Sequence, residues 1–154
     1  MAEVVNEVEV DGGVLVGYDG SAPSAEGVRW AARLAHRLEE PLHVLRAWGM
    51  LNAPQPATKE GGYIPPLTDW EAAVRDELEA QVTRLGLECE VRLHVAHAQS
   101  AKALLHAAHG ASLLVVARRG AGGFRGLGFG STADQVARHA PCPVVIVPVG
   151  GARA

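Results

Sequence analysis

Cysteine is scarce in this chain: Cys89 and Cys142 stand far apart, without the paired spacing of a metal site or a disulfide framework. Both are expected to be reduced thiols that pack as small apolar groups. No apolar run approaches the ~20 residues needed to cross a bilayer, and Met1 to Val10 alternates acids with valines where a leader would be basic. A soluble, cytoplasmic protein with no membrane partner is expected. Positive charge is not in excess either. A formal net charge of −3 gives no general pull toward nucleic acid. Metal-ligand patterns are also missing, because the pairs His94/His97 and His106/His109 have no carboxylate or cysteine set to complete them.

What is present is apolar bulk. Of the 154 residues, 48% are hydrophobic, enough for one substantial core and too few residues for two ordinary domains. A single domain with its core over about residues 12–149 is expected. Val14 to Tyr18 reads as a buried strand, bounded by Gly12-Gly13 and by Asp19-Gly20-Ser21. Ser21 can cap a helix over Ala22 to Leu38, whose apolar face is Val28, Ala31, Ala35 and Leu38, with Pro41 as its stop. A second strand covers Leu42 to Ala47. From Trp48 to Leu67 the prolines and glycines imply a long, mobile connection. Thr68-Asp69-Trp70-Glu71 reads as a capping box opening a second helix, which ends at Gly86. Glu88 to Val95 alternates and predicts an edge strand. Ser100 is expected to cap a third helix ending at Gly110; a fourth strand spans Leu113 to Ala117, a fourth helix Ser131 to His139 and a fifth strand Val144 to Val147. Strands alternating with helices imply a doubly wound α/β fold with a parallel sheet and helices on both faces.

Between the fourth strand and the fourth helix lies a loop carrying Gly120, Gly122, Gly123, Gly126, Gly128 and Gly130. A glycine-rich turn entering a helix lets backbone N–H groups approach an anion, and the helix dipole adds roughly half a positive charge there. In a doubly wound sheet, ligands sit beyond the carboxyl ends of the strands where the strand order reverses. Two loops are expected to meet there: Gly17-Tyr18-Asp19-Gly20-Ser21, and the glycine loop with its flanking Arg118 and Arg119. Asp19 can accept hydrogen bonds from a ligand, while Gly130, Ser131 and Thr132 donate to its phosphates. Asp19 also fits a plain turn or cap, and Arg118, Arg119 and Arg125 fit either phosphate compensation or surface solubility. No nucleophile and base stand at a meaningful spacing; Ser131 beside Asp134 reads as helix capping, so no catalytic residue is assigned.

A Walker phosphate loop needs Lys before the Ser/Thr, where this chain has Gly130 before Ser131. A Rossmann fingerprint needs a small residue where Arg125 stands, and should follow the first strand. Gly120 and Gly130-Ser131, separated by nine residues, instead resemble the signature of the universal stress protein family: Gly, two residues, Gly, nine residues, Gly, then Ser or Thr. The resemblance runs from Val14-Leu15-Val16-Gly17-Tyr18-Asp19 through Trp30-Ala31 to His139-Ala140-Pro141-Cys142-Pro143. It implies strand order 3-2-1-4-5 and ATP across the switch point, with any Mg2+ riding on the phosphates. Asp19 and Ala47, beside Gly17, would then meet adenine and ribose. Gly120, Gly122, Gly130, Ser131 and Thr132 would meet the phosphates, next to Ala117, Arg118 and Arg119. The chain departs from the pattern at Ala117, where the first glycine belongs. If the backbone there needs a positive φ, alanine costs roughly 1 kcal/mol or more; if only close approach matters, a methyl crowds the ribose.

The implied function is an ATP-binding stress-response regulator that acts through an unidentified protein partner. Alternatives are a slow ATP hydrolase and a nucleotide-free dimeric interaction module. The apolar edge strand Val144 to Val147 and the resemblance together imply a homodimer built on that edge.

Overall fold

A computed structural model of the chain describes residues 3–119 and 129–148. Its elements are β1 (Val14–Gly17), α1 (Ala22–Leu38), β2 (Leu42–Trp48), α2 (Leu67–Leu85), β3 (Val91–His97), α3 (Ser100–Ala107), a 3-10 turn (Ala108–Gly110), β4 (Leu113–Ala117), α4 (Ser131–His139) and β5 (Val144–Val147). The five strands pair in parallel in the order β3-β2-β1-β4-β5, so the doubly wound arrangement is observed.

Alternation along each strand divides the core into two layers. Val14 and Val16 of β1 face Val28, Ala31 and Ala35 of α1 and Val74 and Leu78 of α2. Leu15 faces the opposite way, toward Leu104 of α3 and Val136 of α4. Central strands covered on both faces read as continuous apolar runs, which is why β1 and β4 stand out in the sequence.

Several helix ends differ from expectation for identifiable reasons. α1 is capped by Ser21, whose side chain accepts from the Ser24 amide at 3.2 Å. It stops two residues before Pro41, at Glu39, which adopts a left-handed φ of 57° so that its N–H can reach the last carbonyls. α2 starts one residue before Thr68, and its N-cap Pro66 makes no side-chain cap bond. The expected capping box does not form: Asp69 accepts from the Thr58 hydroxyl at 2.8 Å, and Glu71 accepts from the Val5 amide at 2.7 Å. Ser100 is the first residue of α3 and not its cap, which is Gln99, and the helix gives way to the 3-10 turn after Ala107. β3 lies later than expected, and β1 ends at Gly17, although the Tyr18 amide still reaches the Leu45 carbonyl at 3.0 Å.

Residues 3–12 form a strap outside the sheet. Their acid and valine alternation sorts the side chains, with Val8 buried and Val10 packed against the α3 and α4 layer. Glu7 and Glu9 stand outside, each within 4 Å of the His106 ring. The Val5 carbonyl accepts the His97 amide at 2.8 Å, so one end of the β3 edge is covered. Among the described residues no helix is long and apolar enough to cross a membrane.

Candidate functional site

β1 lies at the centre of the sheet, with β2 on one side and β4 on the other, so the strand order reverses at β1. The chain leaves β1 toward one neighbour and later returns beside the other, which opens a crevice past the strand ends. Gly17 and Ala117 end the two strands that flank this crevice, and Ala47 lies near the end of β2.

Beyond β1 the turn is cross-braced by side-chain hydrogen bonds. The Asp19 carboxylate accepts from the Ser21 amide at 2.9 Å and the Ser24 hydroxyl at 2.8 Å, and the Ser24 hydroxyl also accepts from the Asp19 amide at 3.2 Å. Asp19 therefore braces the turn beside the N-cap Ser21, at an exposed position. Gly20 turns the chain at φ 87°, a conformation that side-chain-bearing residues rarely adopt. Gly17 has a different constraint: a Cβ there would come within 2.9 Å of Leu104.

On the other side of the crevice, the Arg118 amide donates to Val147 of β5 at 2.9 Å, and the Arg118 carbonyl accepts from the Gly130 amide at 2.8 Å. The start of α4 is thus fixed against the end of β4. Gly130 is the N-cap, with φ −70° and ψ 171°, and carries no capping side chain. The first-turn amides at Ser131 and Thr132 therefore lie at a helix N-terminus that opens on the switch point, the geometry that suits an anion. Ser131 is the first helical residue and not a cap. Its hydroxyl accepts from Gln135 at 3.2 Å, while Asp134 pairs with Arg138 at 3.1 Å. Ser131 and Asp134 form no capping pair.

Ala117 sits in the β4 ladder opposite Val147, and the one non-glycine residue with positive φ among those described is Glu39. No left-handed backbone is required at Ala117. Its methyl lies toward Gly27 of α1, where an added Cβ would make ordinary contacts of 3.6 to 4.0 Å. Arg118 and Arg119 are half-buried. Gly120, Gly122 and Arg125 lie outside the described residues.

Two features of this end of the molecule escaped the sequence reading. Arg46 of β2 is 4% exposed and donates to Glu77 of α2 at 3.0 Å and to the Asn52 carbonyl at 3.0 Å. The signal was a lone guanidinium in a strand whose other residues are apolar but for His43. Tyr18 is buried beside it. Burial pushes the phenol above its ordinary range, and the Arg46 charge partly opposes this. Nearer the opposite end of β2, His43 is 2% exposed and its ring lies 2.9 Å from His94. The histidine pairs noted in the sequence are thus divided differently: His94 meets His43, His97 stacks on Trp48 at 4.3 Å, and His106 faces Glu7 and Glu9. Among the described residues no group of three or more His, Cys, Asp or Glu side chains could hold a metal ion.

The universal stress protein family model matches residues 13–148 of this chain. A universal stress protein of Mycolicibacterium smegmatis is 29% identical over 142 residues, which cover 88% of this chain and 47% of the relative. The chain spans about half the length of the curated relatives it matches. Among solved structures, the universal stress protein UspA from Lactobacillus plantarum shares the fold with a TM-score of 0.66 at 18% identity, covering 92% of this chain and 99% of that one. A universal stress protein solved in complex with cAMP has a TM-score of 0.59 at 25% identity, covering 89% of this chain and 95% of the other. With sheet order, helix placement and the family match in agreement over most of its length, this chain belongs to the universal stress protein family.

Proposed function

We propose that this domain binds an adenine nucleotide, ATP in the first instance, across the β1/β4 switch point and regulates partners according to its occupancy. The observation that carries this reading is the Gly130 amide bonded to the Arg118 carbonyl, which holds the N-terminus of α4 against the end of β4. That N-terminus offers phosphate oxygens directed amides in a favourable dipole. Two further observations support it: the fixed Asp19 turn across the crevice, and the bound cAMP of a solved relative. Gly17, Asp19 and Ala47 would hold the base and ribose. Gly120, Gly122, Gly130, Ser131 and Thr132 would hold the phosphates, flanked by Ala117, Arg118 and Arg119.

The residues present fit such a ligand. Ala117 needs no positive φ, and it lies against Gly27 of α1. Mg2+ would be held by the phosphates. Second copies would pair through the edge of β5, an apolar strand at the end of the sheet.

Mass spectrometry of the purified protein under native conditions, and calorimetry with ATP, ADP, AMP and cAMP, test this reading. Binding that Gly130→Val abolishes while the fold survives is expected. A protein that carries no nucleotide and binds none overturns it, and turnover with phosphate release lost in Gly130→Val would make the domain a hydrolase.

A further inference from the structure

Among the described residues Arg46 is the one Lys, Arg, Asp or Glu side chain that is buried, and nothing in the phosphate cradle explains it. Its guanidinium connects three pieces of chain. One nitrogen donates to Glu77 on α2 at 3.0 Å, and the other donates to the Asn52 carbonyl at 3.0 Å. Asn52 closes the turn that follows β2: its side-chain oxygen accepts the Gly49 amide at 2.9 Å, and its own amide donates to the Gly49 carbonyl at 3.1 Å. The same guanidinium lies under the turn that follows β1, 3.8 Å from where a Cβ on Gly20 would stand, with the Gln81 amide nitrogen at 3.9 Å from that point. One planar group therefore bonds the turn after β2 to the helix behind it and lies close beneath the turn after β1.

Stability alone is a poor explanation of this arrangement. Desolvating a cation costs several kcal/mol, and replacing a buried ion pair by an apolar side chain of similar volume is often neutral or stabilising. A guanidinium in this place supplies geometry, because its fork presents donors in fixed directions that two acceptors can satisfy at once. Of the two turns beside it, one carries Asp19 and the other directly follows Ala47 and Trp48. We infer that Arg46 is a positioning residue for the base end of the nucleotide site. By fixing the β1 and β2 turns relative to each other it sets selectivity among bases, while the α4 N-terminus sets the grip on phosphate.

This inference rests on the proposed nucleotide site. Its test measures binding of ATP, GTP and inorganic triphosphate to the full chain and to Arg46→Met and Arg46→Lys, with circular dichroism and thermal unfolding alongside. Arg46→Met, which leaves Glu77 and the Asn52 carbonyl without their donor, is expected to fold with a lowered melting temperature and to lose about tenfold in the ATP to GTP affinity ratio. Triphosphate affinity should not change, which a general structural defect would not allow. Arg46→Lys, a point charge unable to serve both acceptors, should lose selectivity in the same direction; if the methionine variant fails to fold, the lysine variant decides. A parent protein that binds no adenine nucleotide overturns the site itself. A parent that binds ATP while a folded Arg46 variant keeps the parental ratio overturns the role of Arg46 alone.

Discussion

The Gly130 amide donates to the Arg118 carbonyl at 2.8 Å, closing the base of the glycine loop and holding the start of α4 against the end of β4. Gly130 has a φ of −70°, which proline also adopts. Gly130→Pro would keep the backbone angle but replace the donor by a ring carbon that meets the Arg118 carbonyl, forcing the two apart. It is expected to lower unfolding stability by more than the ~1 kcal/mol of one lost hydrogen bond and to weaken nucleotide binding as α4 moves from the end of β4. Denaturant unfolding and calorimetry on the same preparation measure both.

The His43–His94 contact predicts a one-sided pH dependence. Burial is the main reason both rings resist protonation, with His94 lowered to about 4 by burial, the neighbouring His43 and the cations Arg75 and Arg92. In the unfolded chain both protonate near 6.5. Between about 6.5 and 4 the unfolded state binds more protons than the folded state, so stability is full above pH 6.5 and falls as the pH drops through this window. Urea unfolding from pH 7.5 to 4 should show the decline, and His94→Gln should flatten most of it.

Glu39 closes α1 in a left-handed conformation, φ 57°, that glycine adopts without penalty. Its bonding at the cap is made by backbone alone, through its own N–H to Ala35 and His36. Glu39→Gly is expected to raise stability by about 0.5 to 1 kcal/mol, read as an increase in the denaturation midpoint.

Gly110 is a contact point for the strap. A Cβ there would stand 1.8 Å from the Val10 carbonyl oxygen, and neither atom belongs to a flexible side chain. Gly110→Ala must displace residues near Val10 and is expected to cost about 1–3 kcal/mol. Increased proteolysis near the N-terminus should accompany it, whereas unchanged melting and protection would contradict the packing described.

The β5 edge should govern self-association. Val145→Lys places a charge on that strand, the means by which natural edge strands avoid pairing. Sedimentation is expected to give a dimer for the parent at micromolar concentration and a monomer for the variant; a parent that sediments as a monomer contradicts the edge pairing.

The helix α1, the strands β4 and β5 and the helix α4 could be read from the sequence to the residue, because each is framed by glycine, proline or serine next to a clean apolar pattern. The capping box at Thr68 misled, since the same Thr-x-x-Glu spacing occurs inside a helix whose true cap is the extended Pro66. Strand order was implied by the family resemblance; it puts the Asp19 turn after β1 next to β4, to whose end Gly130 is bonded. The partners of Arg46 could not be read: Glu77 lies 31 residues away on a helix whose apolar stripe gives no hint of the pairing. His43 and His94 are 51 residues apart and meet only because β2 and β3 are neighbours in the sheet. The conformation at Ala117 was equally out of reach, because a motif's glycine does not reveal whether it serves the backbone angle or the space around it.

The bond from the His97 amide to the Val5 carbonyl bears on how many neighbours a molecule can recruit. A parallel sheet with two bare edges has a valence of two, and copies joining edge to edge would propagate as a fibre. The Val5 carbonyl already occupies the last amide of the β3 edge, so under the proposed pairing at β5 the strap makes β3 the less open edge and favours a closed pair over a polymer.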